Sequence, residues 1–149
     1  QPFGVLRLIM ILEIKCPLWQ VFGGQLMSWI DEVACLVGNR HSQANVITAS
    51  VDNLRFIRGA YVNELIVMIA KMTYVGHTSM EVRVDTYVES MDGMRRPINR
   101  AYLTIVAVDE NGKPCEVPGL IIETEAEKAE WQAGQKRREM RMVRRREGF

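Results

Sequence analysis

The stretch that decides the fold runs Gly23-Gly24-Gln25-Leu26-Met27-Ser28-Trp29-Ile30-Asp31-Glu32-Val33-Ala34-Cys35-Leu36-Val37-Gly38-Asn39. Placed at 100° per residue, Leu26, Ile30, Val33 and Val37 fall on one stripe. Trp29 and Leu36 widen it on one side, Met27 and Ala34 on the other. An apolar face this wide predicts one largely enclosed helix from Gln25 to about Val37, with Gly38-Asn39 as a left-handed stop. The glycine pair Gly23-Gly24 breaks the preceding pattern and turns the chain into the helix.

On both sides of this helix the apolar pattern becomes that of strands. Upstream, Val5 to Leu12 is an apolar run interrupted by Arg7 and followed by Glu13 and Lys15. It lacks the small-residue cleavage site of a signal peptide and is far short of a membrane span, so it reads as a buried strand. Downstream, Asn45 to Phe56 is rich in β-branched residues, and Glu64 to Tyr74 is a long apolar run closed by a turn at Gly76. Ser79 to Val88 alternates, with Met80, Val82 and Val84 against Glu81, Arg83 and Asp85, and slips near Thr86. Turns at Met91-Asp92-Gly93-Met94 and Glu110-Asn111-Gly112-Lys113 bracket a last strand, Arg100 to Val108. Long strands joined by short turns pair antiparallel. One apolar helix and one sheet then bury each other, giving an α+β domain with the sheet curled round the helix.

The 149 residues suit one domain. With 48% hydrophobic and 25% charged residues, the composition is that of a globular protein rather than a disordered chain. A net charge of +1 points to no partner class. Cys16, Cys35 and Cys115 are far apart, without CxxC or Cys/His spacing, which argues against a disulfide framework and a zinc site and for a reducing, cytoplasmic setting. Because the chain opens on Gln1, it is expected to have been trimmed. The tail from Glu123 to Phe149 reads as a second helix. Thr124-Glu125-Ala126-Glu127 forms a capping box, glutamates crowd its start, and Lys136, Arg137, Arg138, Arg141, Arg144, Arg145 and Arg146 crowd its end, matching the macrodipole. A solvated helix explains this polarity better than nucleic-acid binding, since no aromatics interleave the basic residues. Contact with the phosphates of a nucleotide-bearing ligand is the other reading.

Two features of the first helix carry chemistry. Asp31 falls beside Met27 and Ala34 at the edge of the apolar face, where a half-desolvated carboxylate suits general-base or nucleophilic work, though most such residues are simply solvated. Gly23 and Gly24 at the helix start let a ligand approach unpaired N–H groups, which suits an anion or a developing oxyanion. Gly24 and Asp31 lie seven residues apart, roughly 10 Å along one helix at ~1.5 Å per residue. If both act on one carbonyl they come from different subunits, with two symmetric sites in a dimer. His41 and His77 read as structural or surface groups, and Met68, Met72 and Met80 as core or channel lining.

Phe22 to Ala34 resembles the helix signature of the acyl-CoA thioesterase family that includes the YciA-type enzymes and the brain acyl-CoA hydrolase. Arg40-His41-Ser42, Val46 to Asp52, Tyr74 to Val82, Asn99 through Val106-Ala107-Val108-Asp109 to Gly112-Lys113-Pro114, and Pro118 match in order and spacing. The resemblance implies a hotdog domain over residues 1–120, followed by a charged helical tail over 121–149. It implies hydrolysis of fatty acyl-CoA to free acid and CoA, without metal or other cofactor. It implies a homodimer, further assembled as a trimer of dimers, acting on acyl-CoA and on neither membrane nor nucleic acid. It assigns the catalytic carboxylate to Asp31 and the carbonyl-polarising amide to Gly24. It assigns CoA binding to Gly23, Gly76, His77, Thr78 and Ser79. The segment Cys16-Pro17-Leu18-Trp19 stands where such thioesterases read Asn-Pro-Leu-Gly. Cys16 thus occupies the position of an Asn that assists catalysis from the partner subunit, and Trp19 that of a Gly. The alternative expectation is therefore a catalytically weakened hotdog protein that binds acyl-CoA or serves as a structural partner.

Overall fold

The computed structural model describes residues 7–13, 20–21, 23–61 and 64–148, the first two segments by their backbone alone. Its elements are β1 (Arg7–Glu13), β2 (Gln20–Val21), α1 (Gly23–Ser42), β3 (Asn45–Asp52) and β4 (Ala60–Tyr61). They continue with β5 (Leu65–Val75), β6 (Ser79–Glu89), β7 (Arg95–Val108) and α2 (Glu125–Glu147). Five strands form one antiparallel sheet in the order β1-β5-β6-β7-β3, and β2 and β4 make a two-residue pair that the sequence pattern did not suggest. Helix α1 contacts all five strands, so the sheet wraps it: this is the hotdog architecture.

The expected stripe is the core. Leu26, Ile30, Val33, Ala34 and Val37 are buried against Met68, Met72, Met80, Val82, Leu103 and Ile105. Each of these side chains larger than alanine contributes about 1.5–3 kcal/mol by leaving water. The slip near Thr86 is a register shift between β6 and β7 at Thr86/Tyr87.

Several boundaries moved. Gly38-Asn39 does not stop α1, which continues to Ser42 and turns at Gln43 (φ 55). Gly38 serves packing instead: a Cβ there would stand 3.4 Å from Ile105 Cγ2 and 3.6 Å from Met80 Cε. Gly23-Gly24 are the first residues of α1 rather than a turn before it. Strand β3 ends at Asp52, with Asn53 at φ 63, while β7 begins five residues earlier than its apolar pattern did, at Arg95. The flanks of the apolar face are not enclosed. Met27 and Leu36 are 41% and 44% exposed, and Ile47 on the edge strand β3 is 54% exposed, since the sheet ends there.

The tail helix also departs from the solvated reading. Its capping box forms, with the Thr124 side chain accepting from the Glu127 N–H and Glu127 reaching back to the cap backbone. One face of α2, however, lies against the outer side of the sheet. Trp131 packs on Tyr74 with centroids 4.5 Å apart. Gly134 is buried. Arg137 donates to both oxygens of Glu81, at 2.8 and 3.0 Å, and stands 3.6 Å over the Tyr102 ring. Arg141 and Arg144 pair with Asp52, and Arg83 of β6 pairs with Glu130. Glu81, read as an outward polar residue, is only 1% exposed because the helix covers it. Among the described residues no helix is long and apolar enough to cross a membrane.

Candidate functional site

Asp31 sits on the third turn of α1, half-buried, on the side facing the edge strand β3. The Thr48 hydroxyl donates to its Oδ1 at 2.5 Å. Thr48 stands where β3 leaves register with β7, at the irregularity between Thr48 and Ser50. Such a bulge re-aims the side chains beside it. One turn beyond Asp31, the Cys35 Sγ lies 3.4 Å from Thr48 Oγ1 and 4.0 Å from Asp31 Oδ1. In its long contact with Asp31 the thiol is the donor. Burial pushes the Cys35 thiol above its ordinary range; the Thr48 bond opposes this and the Asp31 charge adds to it. Cys35 is therefore a thiol rather than a thiolate at neutral pH.

The arrangement holds one carboxylate oxygen and leaves the other, Oδ2, without a hydrogen bond from a described residue. Such a group can take a proton from water or attack an electrophilic carbon. Beside it runs a groove of ≈ 610 Å³ lined by Glu32, Cys35, Leu36, Asn39, Asn45 and Val46. It follows the unpaired margin of β3.

The other expected site residues lie elsewhere. Gly23 and Gly24 are exposed in the first turn of α1, which carries no acidic side chain. A Cβ at Gly23 would come within 3.2 Å of the Phe56 ring, a tight contact that the ring would have to give way to accommodate. Gly24 is two turns from Asp31, and the two do not meet within one chain. Gly76, His77, Thr78 and Ser79 form the β5–β6 turn. The Gly76 N–H donates to the Ser79 carbonyl at 2.8 Å, and the His77 and Thr78 carbonyls accept from Val117 and Ala107. His77 is exposed. His41 is buried with Nε2 at 2.9 Å from the Pro118 carbonyl, a structural tie between α1 and the segment after β7. Cys16 and Trp19 lie outside the described residues. Among the described residues no cluster of His, Cys, Asp or Glu could hold a metal ion.

Sequence reasoning did not single out Thr48 or Cys35. Thr48 is 17 residues from Asp31, and its hydroxyl reaches α1 only because β3 folds back as the sheet edge. The available signal was a threonine inside the Val46–Asp52 segment, but a threonine in a strand is ordinary. Cys35 was legible as a residue one turn after Asp31, and its partner on β3 was not.

The family model for the thioesterase superfamily matches residues 20–94. An uncharacterized acyl-CoA thioester hydrolase of Bacillus subtilis is 40% identical over 108 residues, covering 72% of this chain and 63% of the relative. The chain thus spans somewhat less than two thirds of that relative's length. Among solved structures, an apo-hexameric acyl-CoA thioesterase superposes with a TM-score of 0.84 at 35% identity, covering 93% of this chain and 92% of the other. An acyl-CoA hydrolase from Staphylococcus aureus, in complex with butyryl coenzyme A, coenzyme A and coenzyme A disulfide, superposes at 0.82 with 31% identity, covering 95% and 90%. The S. aureus enzyme has also been solved with an Asn, an Asp or a Thr changed to Ala. Those three residues follow one another at the spacings of Cys16, Asp31 and Thr48 here.

Proposed function

The chain belongs to the thioesterase superfamily, and we propose that it hydrolyses acyl-CoA to a free acid and CoA with Asp31 as general base or nucleophile. The observation that carries this is the half-buried Asp31 held by Thr48 at 2.5 Å, an Asp–Thr pair at the spacing of the two residues changed in the S. aureus hydrolase. Thr48 orients the carboxylate through Oδ1, and Oδ2 faces the substrate. As base, Asp31 takes a proton from water while the water oxygen attacks the thioester carbon. The C–S bond breaks, and the departing CoA sulfur takes the proton back. As nucleophile, Asp31 forms the bond to carbon itself while the C–S bond breaks and CoA departs as the thiolate; water then cleaves the resulting anhydride to the free acid and the Asp31 carboxylate, and its remaining proton goes to the CoA sulfur.

The developing oxyanion needs donors, and the first turn of α1 supplies free N–H groups. Gly24 is roughly 10 Å along the helix from Asp31, so the Gly24 amide acting on a given thioester belongs to a second copy. Two symmetric sites in a homodimer follow, assembled as a trimer of dimers. The exposed Met27, Leu36 and Ile47 beside the unpaired edge of β3 support a partner on that side. Gly23, Gly76, His77, Thr78 and Ser79 hold the CoA moiety, and the setting is cytoplasmic. Cys16, at the position of the Asn changed in the S. aureus enzyme, favours the second reading: an acyl-CoA-binding hotdog protein of reduced activity.

The test is CoA thiol release from short, medium and long acyl-CoAs by the native chain and by Asp31→Asn. Hydrolysis that falls by at least ~10²-fold in the variant, with the oligomer intact, is the expected result. A folded native chain that binds acyl-CoA and releases no thiol would replace the enzyme with the binding protein.

A further inference from the structure

Helix α2 crosses the outer face of the sheet over four successive strands. Trp131 lies on Tyr74 of β5, and Arg137 pairs with Glu81 of β6 and stands over Tyr102 of β7. Arg141 and Arg144 then take Asp52 of β3. This last contact falls at the margin of the sheet: β3 is an edge strand hydrogen-bonded to β7, and Asp52 is its final residue. Arg141 donates to Asp52 Oδ2 at 3.2 Å and Arg144 to Oδ1 at 3.0 Å, so both carboxylate oxygens are held. The ladder partner of Asp52 is Tyr102, whose ring lies beneath Arg137. The helix therefore fastens both members of the last β3–β7 pair.

Thr48 stands four residues before Asp52. Strict alternation would put the two side chains on one face of the strand. The bulge breaks that phase: Thr48 pairs with Ile105 and Ser50 with Thr104, leaving Ala49 as the extra residue. Val46 and Val51, five residues apart, accordingly both pack on the core. Thr48 thus turns inward to Asp31 of α1, while Asp52 turns outward to α2. Because the ladder is interrupted at the bulge, the Ser50–Asp52 segment fixes Thr48 from that side, and the arginines anchor the end of this segment. Arg144 is half exposed, and ion pairs of that kind add little to stability. Their effect is on where the strand lies.

We infer that Arg141 and Arg144, acting through Asp52, are positioning residues: they hold the end of β3 so that the bulge directs the Thr48 hydroxyl at Asp31 Oδ1. The kinetic consequence rests on the proposed acyl-CoA hydrolysis, and it gives the charged tail helix a part in that reaction.

The experiment is a double-mutant cycle on acyl-CoA hydrolysis that crosses Arg141→Gln/Arg144→Gln with Thr48→Val. The arginine variant should lose about five- to tenfold in kcat, no more than Thr48→Val loses, with KM unchanged and Tm close to native. In the Thr48→Val background the same arginine changes should have no further effect. Arg141→Lys/Arg144→Lys should recover most of the lost kcat. Equal losses in both backgrounds would mean that the arginines act without Thr48, and a change in KM alone would make them substrate contacts. Either result overturns the inference, as does full activity in the arginine variant. Asp52→Asn takes the place of the arginine changes if that variant does not fold. Hydrogen exchange over Val46–Asp52 gives a reading that needs no turnover: it should quicken by about tenfold or more in the arginine variant, while β5 and β6 keep native protection. If the native chain releases no thiol, the proposed hydrolysis fails and exchange decides alone. Quickened exchange confined to β3 then upholds the anchoring of Thr48, and native exchange refutes it.

Discussion

Replacing Arg137 with Met would leave the Glu81 carboxylate, 1% exposed, without its two charged hydrogen bonds of 2.8 and 3.0 Å. Breaking a buried pair from one side costs about 3–5 kcal/mol, because the stranded charge stays desolvated. Two features place this case at the lower bound. Thr73 Oγ1 still donates to Glu81 at 2.7 Å, and Arg141 stands 3.7 Å away. Arg137 is itself 23% exposed, so its own desolvation is incomplete. Loss of the guanidinium over Tyr102 adds ~0.5–1 kcal/mol. A total of about 3.5–4 kcal/mol corresponds to a fall in Tm of roughly 7–16 °C for a domain of this size. In Glu81→Met/Arg137→Met no charge is left buried, and stability should return to within ~1 kcal/mol of native. The assay is urea unfolding followed by far-UV circular dichroism at one fixed protein concentration, since an oligomer's stability depends on concentration. If the double variant is no more stable than Arg137→Met alone, the pairing is not what makes that site costly to break, and the reasoning fails.

Gly134→Ala should destabilise, although alanine is the better helix former by about 1 kcal/mol: its Cβ would lie 2.8 Å from Tyr74 Cβ and 3.0 Å from Glu81 Oε1. A rise in Tm would show that α2 is not seated as described. Thr48→Val should lower kcat by roughly tenfold or more through loss of the hydrogen bond to Asp31 while leaving the fold intact; unchanged turnover would remove Thr48 from the site. Cys35 should react with iodoacetamide more slowly than a free thiol at neutral pH, with a rate that climbs only above the ordinary value of 9.0. Because its folded pKa is raised, the folded chain keeps that proton longer than the unfolded one. The associated stability is present below pH 9.0 and lost as pH rises from there through the folded value. Peptide mapping that finds Cys35 modified ahead of half-buried Cys115 at pH 7 would contradict this.

The sequence by itself determined the enclosed helix and the antiparallel partners, because both rest on period. Leu26, Ile30, Val33 and Val37 recur at helical spacing, and Met80, Val82 and Val84 alternate with Glu81, Arg83 and Asp85. It also marked Asp31, since the edge of an apolar stripe can be located on a helix without knowing what packs there. Only the tertiary structure decided what that carboxylate touches: Thr48 is 17 residues away, and its hydroxyl meets Oδ1 across a helix–sheet contact that no local pattern encodes. The same holds for Glu81 and the arginines of α2. Alternation assigns Glu81 to the polar face of β6, and charge order assigns the arginines to a helix end. That the two faces meet, burying one carboxylate and leaving Arg138 over the Gly76 turn, depends on where a helix 56 residues further along the chain comes to rest. Periodicity specifies which side of an element is apolar, and contacts of long sequence separation are set by how the elements pack.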